Sequence, residues 1–219
     1  VVIPSAGIGS RIGPLTKFVN KSLVTIGDKP VISHIIDSIP EHIHIVIPVG
    51  YKSEFTIQVV RALYPDRHLE FVEIKNYAGE GSGLGHTLNC AKHLLQCPFV
   101  FIPNDTICSV DFNSLAPDSL GNWLFFYNKA PNDGILKEQY RTIQVNAGKM
   151  TDILPKGAKS DMIYTGVCGV RDFVKFWELL EDPEATDVGE SYSLKRLDNV
   201  RAIETNEWID VGNLKSLSV

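Results

Sequence analysis

Short apolar runs alternate with amphipathic segments along the first half of the chain. Short, mostly apolar runs predict strands at residues 1–3, 43–49, 69–74 and 99–102. Apolar positions at helical spacing predict intervening helices at residues 30–39, 53–63 and 84–95. In the second of these helices, the buried face is predicted to hold Phe55, Val59, Val60 and Leu63. Such alternation is typical of an α/β protein, in which ligands bind at the carboxyl ends of parallel strands.

The second half of the chain contains more strands and turns. Strands are predicted at residues 123–128, 140–145, 163–170 and 200–204, and helices at residues 172–180 and 192–197. Residues 149–160 are predicted to form a turn-rich excursion. The spacing of Phe173, Phe176 and Trp177 predicts that these side chains pack in the core.

Together these elements predict a three-layer α/β/α fold with a doubly wound, mostly parallel sheet and a small substrate-binding lobe. The chain has no internal repeat, low-complexity tract or flexible linker. We therefore predict a single domain over residues 1–219, with residues 1–110 and 111–219 as its two halves.

Composition narrows the class of protein. The chain has 219 residues, and 21 Lys and Arg against 26 Asp and Glu give a formal net charge of −5. An acidic chain disfavours nucleic acid as a partner, because that affinity depends on clustered cations. No apolar run reaches the roughly 20 residues of a membrane span. We expect a cytoplasmic protein without a membrane span, and a homo-oligomer is left open. The cysteines are expected to be small buried hydrophobes, namely Cys90, Cys97, Cys108 and Cys168.

A glycine-rich turn follows the first predicted strand. Gly7 and Gly9 lack side chains, so successive backbone N–H groups can approach phosphate oxygens closely there. Residues 1–36 hold one acid against four cations, which are Arg11, Lys17, Lys21 and Lys29. This local excess of positive charge favours a polyanionic ligand. The spacing matches neither the dinucleotide-binding fingerprint nor the P-loop. A phosphate site of another kind is therefore predicted, and a tight turn with solvated lysines is the alternative.

The turn belongs to a longer run of motifs. Residues 3–11, 14–17, 20–24 and 26–32 read I-P-S-A-G-I-G-S-R, P-L-T-K, N-K-S-L-V and I-G-D-K-P-V-I. This run resembles the opening signature of the sugar-phosphate nucleotidyltransferases, L-A-A-G-x-G-x-R, P-L-T and P-K-x-L-x-x-[IV]-x-x-K-P-[LI]. Later motifs of that family are matched in order by E-G-S-G-L-G at 80–85, N-D at 104–105 and W-I-D-V-G-N at 208–213.

The resemblance implies a role for each matched residue. It makes Arg11 and Lys21 catalytic, and it makes Asp105 and Asp210 the ligands of a Mg²⁺ cofactor. The implied nucleotide-binding residues are Ala6, Gly7, Gly9, Ser10, Gly81, Ser82 and Asn104. The implied acceptor-binding residues are Gly166, Glu190 and Lys156. Residues 1–110 would then bind the nucleotide, and residues 111–219 would bind the acceptor.

Two positions depart from the family pattern. Asn20 replaces the proline before the lysine, so we expect a looser loop around Lys21. The family's E-K-P motif is absent near residues 154–156, where this chain has Leu-Pro-Lys. Lys156 would then supply the positive charge from a shifted position.

The resemblance also implies an activity. It is the Mg²⁺-dependent transfer of a nucleotidyl group from a nucleoside triphosphate to a sugar 1-phosphate or similar phosphomonoester, with release of pyrophosphate. Two anions must meet, so the protein mainly positions them and neutralises charge. A non-catalytic nucleotide-binding regulatory or assembly subunit on the same fold is the alternative. A glycosyltransferase would need a D-x-D metal motif, and the sequence contains none.

Overall fold

The computed structural model describes residues 1–128 and 137–212. Asn213 of the last motif, and those parts of the predicted second half that fall at 129–136 and 213–219, lie outside the described residues. The described strands are β1 (Thr25–Ile26), β2 (Lys29–Pro30), β3 (Ile45–Val49), β4 (Leu69–Glu73), β5 (Phe99–Phe101), β6 (Thr106–Ile107), β7 (Trp123–Asn128), β8 (Thr142–Asn146), β9 (Lys149–Leu154), β10 (Met162–Val170), β11 (Arg201–Glu204) and β12 (Ile209–Asp210).

The described α-helices mostly follow the predicted positions. They are α1 (Val31–Asp37), α2 (Ser53–Leu63), α3 (Leu84–Ala91), α4 (Pro117–Leu120), α5 (Phe173–Leu180), α6 (Ala185–Val188) and α7 (Glu190–Leu194). Short 3₁₀ helices occupy Ser10–Lys17, Lys21–Leu23, Lys92–Leu94 and Lys137–Gln139. In the described part of the chain, no helix has both the length and the apolar character needed to cross a bilayer.

Four neighbouring segments of the central sheet run in the same direction. β3 pairs in parallel with β4. Residues 1–5 lie between β3 and β5, since Val2 forms parallel bridges to both Val46 and Phe101. The carboxyl ends of these segments therefore share one edge of the sheet. The first glycine turn and Asp105 follow two neighbouring ends, so the fold brings them to the same place.

The rest of the sheet is mixed, and the prediction of a mostly parallel sheet is wrong there. β10 runs antiparallel to both β5 and β7, and β11 runs parallel to β7 but antiparallel to β9. A pattern of apolar residues does not encode strand direction. Direction depends on the connections, because short turns join antiparallel strands only.

A tight hairpin forms where the sequence predicted a turn-rich segment. β8 and β9 pair antiparallel across Ala147 and Gly148, which have φ angles of 48° and 75°. Positive φ at both central residues is the geometry of a two-residue hairpin turn. The predicted excursion at residues 149–160 is therefore wrong for β9, and only the segment after Leu154 is a turn.

Alternate residues of the sheet point into two apolar clusters. One cluster includes Val2, Phe101 and residues of α3, α5 and α7, and it contains Phe176 and Trp177 as predicted. The Phe99 and Trp177 rings stack there at 5.4 Å. The other cluster includes Ile3, Ile47 and residues of α1 and α2. Burial on both faces explains why β3 and β5 consist of apolar residues, whereas β4 includes exposed glutamates.

Three predictions of burial or boundaries need correction. Phe55 and Leu63 are exposed, because α2 turns Thr56 and Val60 toward the sheet instead. The last predicted helix, at residues 192–197, begins earlier as α7 and ends at Leu194. Among the cysteines only Cys168 is fully buried, and Cys97 is exposed.

The second glycine turn packs against α6. A β-carbon on Gly85 would lie 2.1 Å from the carbonyl oxygen of Ala185, and one on Gly83 would lie 2.2 Å from that of Thr186. Real side chains do not tolerate such distances. Glycine is therefore required at both positions so that the start of α3 can touch the backbone of α6.

Candidate active site

The first glycine turn makes room for Lys21. Gly9 has a φ of 71°, in the left-handed region that favours glycine. A β-carbon on Gly9 would lie 2.9 Å from Cβ of Lys21. The turn continues into the 3₁₀ helix Ser10–Lys17, which presents Arg11 to the solvent with 57% of its side chain exposed. The Lys21 side chain is only 11% exposed, so it passes beneath the turn.

Asn20 joins three segments of backbone beside Lys21. Its side-chain amide donates hydrogen bonds to the carbonyl oxygens of Ser5 (2.9 Å) and Tyr51 (2.8 Å). Its side-chain oxygen accepts from the backbone N–H of Ser22 (3.0 Å). The expectation of a looser loop is therefore wrong. A buried amide holds the loop by hydrogen bonds where the family has a proline.

Two carboxylates from distant parts of the sequence face the same point. β6 pairs antiparallel with β12, which places Asp210 opposite Thr106. The backbone N–H of Val211 donates to the carbonyl oxygen of Asp105 at 2.8 Å. A β-carbon on Gly212 would lie 2.8 Å from Oδ1 of Asp210 and 3.0 Å from Oδ2 of Asp105. The missing side chain of Gly212 therefore leaves a space that both carboxylates border.

Two cations lie against Asp105. Nζ of Lys21 contacts Oδ2 of Asp105 directly, and Nη2 of Arg11 lies 3.8 Å from the same oxygen. Burial raises the pKa of Asp105, but the ammonium of Lys21 and then the guanidinium of Arg11 outweigh it, so the pKa is lowered. Asp105 is therefore held as a carboxylate at neutral pH.

The carboxylates fit a hard divalent cation. Mg²⁺ takes oxygen ligands and is commonly held by one or two carboxylates together with substrate phosphates. The open space at Gly212 is bordered by an oxygen from each of Asp105 and Asp210. Within residues 1–128 and 137–212, no group of three or more His, Cys, Asp or Glu side chains could hold a metal. A cation here would therefore depend on these two residues and on substrate or water.

Tyr140 lies on the other side of Asp210. Its hydroxyl donates to Oδ2 of Asp210 at 2.5 Å. Burial, and then the hydrogen bond to Asp210, raise the pKa of Tyr140, so the hydroxyl keeps its proton. The ring contacts Trp208 edge to face, with 5.1 Å between centroids.

Lys156 lies within electrostatic range of the carboxylates. It sits in the turn after β9 and is exposed. Partial removal of its side chain from water lowers the pKa of Lys156, as do Arg11 and Arg141, whereas Asp210 and Asp105 act in the opposite direction. The shifted lysine is therefore near the site, and its role toward an acceptor stays a prediction.

Glu190 is buried at the start of α7, with 5% of its surface exposed. Burial raises the pKa of Glu190 to about 7, although the positive charge of Arg141 opposes the shift. The hydroxyl of the neighbouring Tyr164 donates to the carbonyl oxygen of Gly166 at 3.2 Å. A β-carbon on Gly166 would lie 2.6 Å from Cγ of Pro103, so this glycine packs against the segment that ends in Asp105. Contact of either residue with an acceptor stays a prediction.

The remaining predicted nucleotide-binding residues lie on the two glycine turns and beside Asp105. On the first turn Ala6 is buried, whereas Gly7 and Ser10 are exposed. On the second turn the Ser82 hydroxyl donates to a carbonyl oxygen of its own turn at 2.6 Å, and Gly81 has a φ of 73°. Asn104 is half-buried and directly precedes Asp105. Their roles toward a nucleotide stay predictions.

Sequence reasoning missed Tyr140 and Arg141. The pattern assigns Tyr140 to the start of a strand, and no local signal links it to Asp210, which is 70 residues away. A tyrosine–arginine pair between a polar turn and an alternating strand is the one available hint. The pair alone does not indicate a site, and only the contact between Tyr140 and Asp210 reveals its place there.

The sequence has recognisable relatives among known proteins. No protein-family model matches the chain. Bifunctional protein GlmU from Methanococcus vannielii is 26% identical over 221 residues, covering 96% of this chain and 51% of the relative. UTP–glucose-1-phosphate uridylyltransferase AglF from Haloferax volcanii is 25% identical over 185 residues, covering 84% of this chain and 65% of the relative.

The fold matches a solved structure closely. CTP:phosphocholine cytidylyltransferase from Streptococcus pneumoniae has a TM-score of 0.78 at 21% identity, covering 99% of this chain and 95% of that one. The likeness shows an α/β nucleotidyltransferase fold, which confirms the predicted class. Taken with its relatives, the chain is a homologue of the sugar-phosphate nucleotidyltransferases, as its motifs indicated. The chain spans about half the length of the GlmU relatives that it matches.

Substitution of Asn20 tests its part in holding the loop. Asn20→Ala leaves two buried carbonyl oxygens without their donor, at about 1–3 kcal/mol for each unsatisfied group. We expect the free energy of unfolding to fall by about 2–4 kcal/mol in urea denaturation. Asn20→Asp keeps the shape and the acceptor but removes both donors, so its loss should be at least as large. The exposed Asn206→Ala is the control, expected within about 0.5 kcal/mol of wild type. Wild-type stability of Asn20→Asp would contradict the assignment.

The raised pKa of Glu190 predicts a pH-dependent stability. Its pKa rises from 4.5 to about 7 on folding, so the folded state binds the proton more tightly. The stability that protonated Glu190 contributes is therefore fully present below pH 4.5 and is lost as the pH rises toward 7. We expect wild type to lose about 3 kcal/mol relative to Glu190→Gln between pH 4.5 and pH 8. Denaturation at several pH values measures this difference, with the exposed Glu204→Gln as control. A difference that is flat with pH would refute the prediction.

Proposed function

We propose that this chain transfers a nucleotidyl group from a nucleoside triphosphate to a sugar 1-phosphate or a similar phosphomonoester, with release of pyrophosphate. The observation that carries the proposal is that Asp105 and Asp210 border the same open space at Gly212, with Lys21 in contact with Asp105. These groups come from three distant motifs. Their convergence beside the first glycine turn is what a reaction between two phosphate groups requires.

The reaction joins two anions. An oxygen of the acceptor phosphate attacks the α-phosphorus, a new P–O bond forms, and the bond from the α-phosphorus to the bridging oxygen of pyrophosphate breaks. Charge repulsion and orientation are the main obstacles, so fixed cations and positioning supply most of the catalysis. No group in the site needs to act as a strong base, because the attacking phosphate oxygen is already ionised.

The two cations at Asp105 suit different phosphates. Arg11 is largely exposed on the 3₁₀ helix, where its guanidinium would bind the β- and γ-phosphates and stabilise the leaving pyrophosphate. Lys21 is buried against Asp105 and would turn its ammonium toward the α-phosphate as negative charge develops there. The open backbone at Gly7 and Gly9 would receive the triphosphate oxygens.

We propose Mg²⁺ as the divalent cation, held by Asp105 and Asp210. When bound, it would supply positive charge to the phosphate oxygens and help to orient them. The carboxylate of Asp210 is well placed for this role, because the hydroxyl of Tyr140 and the backbone N–H of Gly212, at 3.0 Å, both donate hydrogen bonds to it.

The two halves divide the substrates in this proposal. Residues 1–110 would bind the nucleotide, with Ser10, Gly81, Ser82, Ala6 and Asn104 as further contacts, and residues 111–219 would bind the acceptor through Gly166, Glu190 and Lys156. The two apolar clusters on opposite sides of the sheet support the three-layer, doubly wound arrangement.

The charge around the acceptor side favours a sugar phosphate. The named relatives include one enzyme for glucose 1-phosphate and one for phosphocholine. Lys156 and Arg141 both add positive charge near Asp210. A quaternary ammonium group would be repelled there, whereas an uncharged sugar ring would not.

A panel of substrates tests the activity. Purified protein is incubated with Mg²⁺, each of the common nucleoside triphosphates, and glucose 1-phosphate, other sugar 1-phosphates or phosphocholine. We expect pyrophosphate release and a nucleotide-sugar mass with at least one sugar 1-phosphate, and abolition of both by EDTA. Release confined to phosphocholine would overturn the acceptor assignment. Nucleotide binding without pyrophosphate release from any pair would instead indicate the non-catalytic subunit.

Two substitutions test the assigned roles. Lys21→Ala and Asp105→Asn should reduce turnover by about 10²- to 10³-fold, because each removes a group that contacts the reacting phosphates or their cation. Circular dichroism should show both variants folded. Lys175→Ala is the matched control, since Lys175 also contacts an aspartate, Asp198 at 2.8 Å, but on the surface. Near-normal turnover in either site variant would remove that residue from the mechanism.

A further inference from the structure

Both oxygens of the Asp210 carboxylate have defined partners. Oδ2 accepts the hydroxyl proton of Tyr140 at 2.5 Å, and Oδ1 accepts the backbone N–H of Gly212 at 3.0 Å. One partner is the side chain of Tyr140, which lies two residues before β8, and the other is backbone just after β12. Two bonds from different directions fix the plane of a carboxylate as well as its position.

The position of Tyr140 is supported by a ring contact and by a backbone hydrogen bond of the next residue. It packs edge to face on Trp208, which is 9% exposed and also contacts Tyr127 at 5.6 Å between centroids. The backbone is held as well, because the carbonyl oxygen of the next residue, Arg141, accepts from the N–H of Tyr164 at 2.9 Å. The hydroxyl is therefore aimed at Asp210 from a packed support.

We propose that Tyr140 is a positioning residue that orients Asp210 toward the divalent cation, an inference that rests on the proposed nucleotidyl transfer. A neutral hydroxyl orients a carboxylate without neutralising it, unlike the ammonium of Lys21 at Asp105. A tyrosine hydroxyl carries its proton at neutral pH, so Tyr140 can donate to Asp210 in the observed geometry. Hydrogen-bonded partners behind metal ligands commonly change metal affinity by about 10- to 100-fold.

Direct binding of Mn²⁺ tests the proposal without any turnover. The affinity of the full chain is measured by electron paramagnetic resonance, with and without a nucleoside triphosphate. Tyr140→Phe keeps the ring on Trp208 and removes only the hydroxyl. We expect it to weaken Mn²⁺ binding by about 10-fold or more. Tyr127→Phe, which removes a hydroxyl on the other side of Trp208, is the matched control and should change binding by less than about twofold.

A double-substitution cycle separates positioning from a general structural effect. In the Asp210→Asn background, Tyr140→Phe should weaken Mn²⁺ binding by less than about twofold further, because its target is gone. In turnover assays, Tyr140→Phe should raise the Mg²⁺ concentration for half-maximal rate while leaving the rate at saturating Mg²⁺ within about threefold of wild type. Both results would support the proposal.

Other outcomes identify which inference fails. Wild-type Mn²⁺ affinity in Tyr140→Phe would overturn the role of Tyr140, as would a full additional effect in the Asp210→Asn background. A lowered thermal midpoint with a rate that excess Mg²⁺ does not restore would indicate a structural role and would also overturn it. Failure of the wild-type chain to bind Mn²⁺, with every nucleoside triphosphate tested, would refute the metal-dependent function itself.

Discussion

Two carboxylates that face one small space are the constraint on which this site depends. Asp105 and Asp210 repel each other across the gap at Gly212, and their partial burial weakens screening by water. The neighbouring features all serve this arrangement. Lys21 offsets the charge of Asp105, and it fits beneath the first glycine turn because Gly9 has no side chain. The absence of a side chain at Gly212 keeps the gap open. The divalent cation that we propose here would relieve this repulsion, because it would place positive charge between the two carboxylates.

The sequence could predict those parts of the site that are marked by a local sequence pattern. A glycine turn after an apolar strand and an acid after another strand both indicate positions at a sheet edge. Motifs and apolar patterns were therefore sufficient to predict Lys21, Asp105 and Asp210 as site residues. Strand direction was not, since β7 and β10 look the same in either direction. The two-residue turn at Ala147 and Gly148 was also hidden, because alanine seldom adopts a positive φ.

Asn20 shows why a departure from a motif is hard to interpret without coordinates. A proline stiffens a loop through its own ring, so its loss suggests freedom. An asparagine stiffens a loop through groups that come from elsewhere, here Ser5 and Tyr51. Tyr140 and Glu190 present the same difficulty in another form. Tyr140 matters because it contacts Asp210, and the pKa of Glu190 depends on its burial and on Arg141. Neither relation follows from local spacing in the sequence.

The contact between the second glycine turn and α6 limits how this fold can be recombined. Gly83 and Gly85 touch the backbone at residues 185–186 with no side chain between them. The turn belongs to the proposed nucleotide half, and α6 leads through Gly189 into α7 and Glu190 of the proposed acceptor half. A chimaera that took one half from a relative would inherit a mismatch at this seam unless both backbones kept the same approach. New acceptor preferences are therefore more readily obtained by changing side chains within one chain than by exchanging halves between chains.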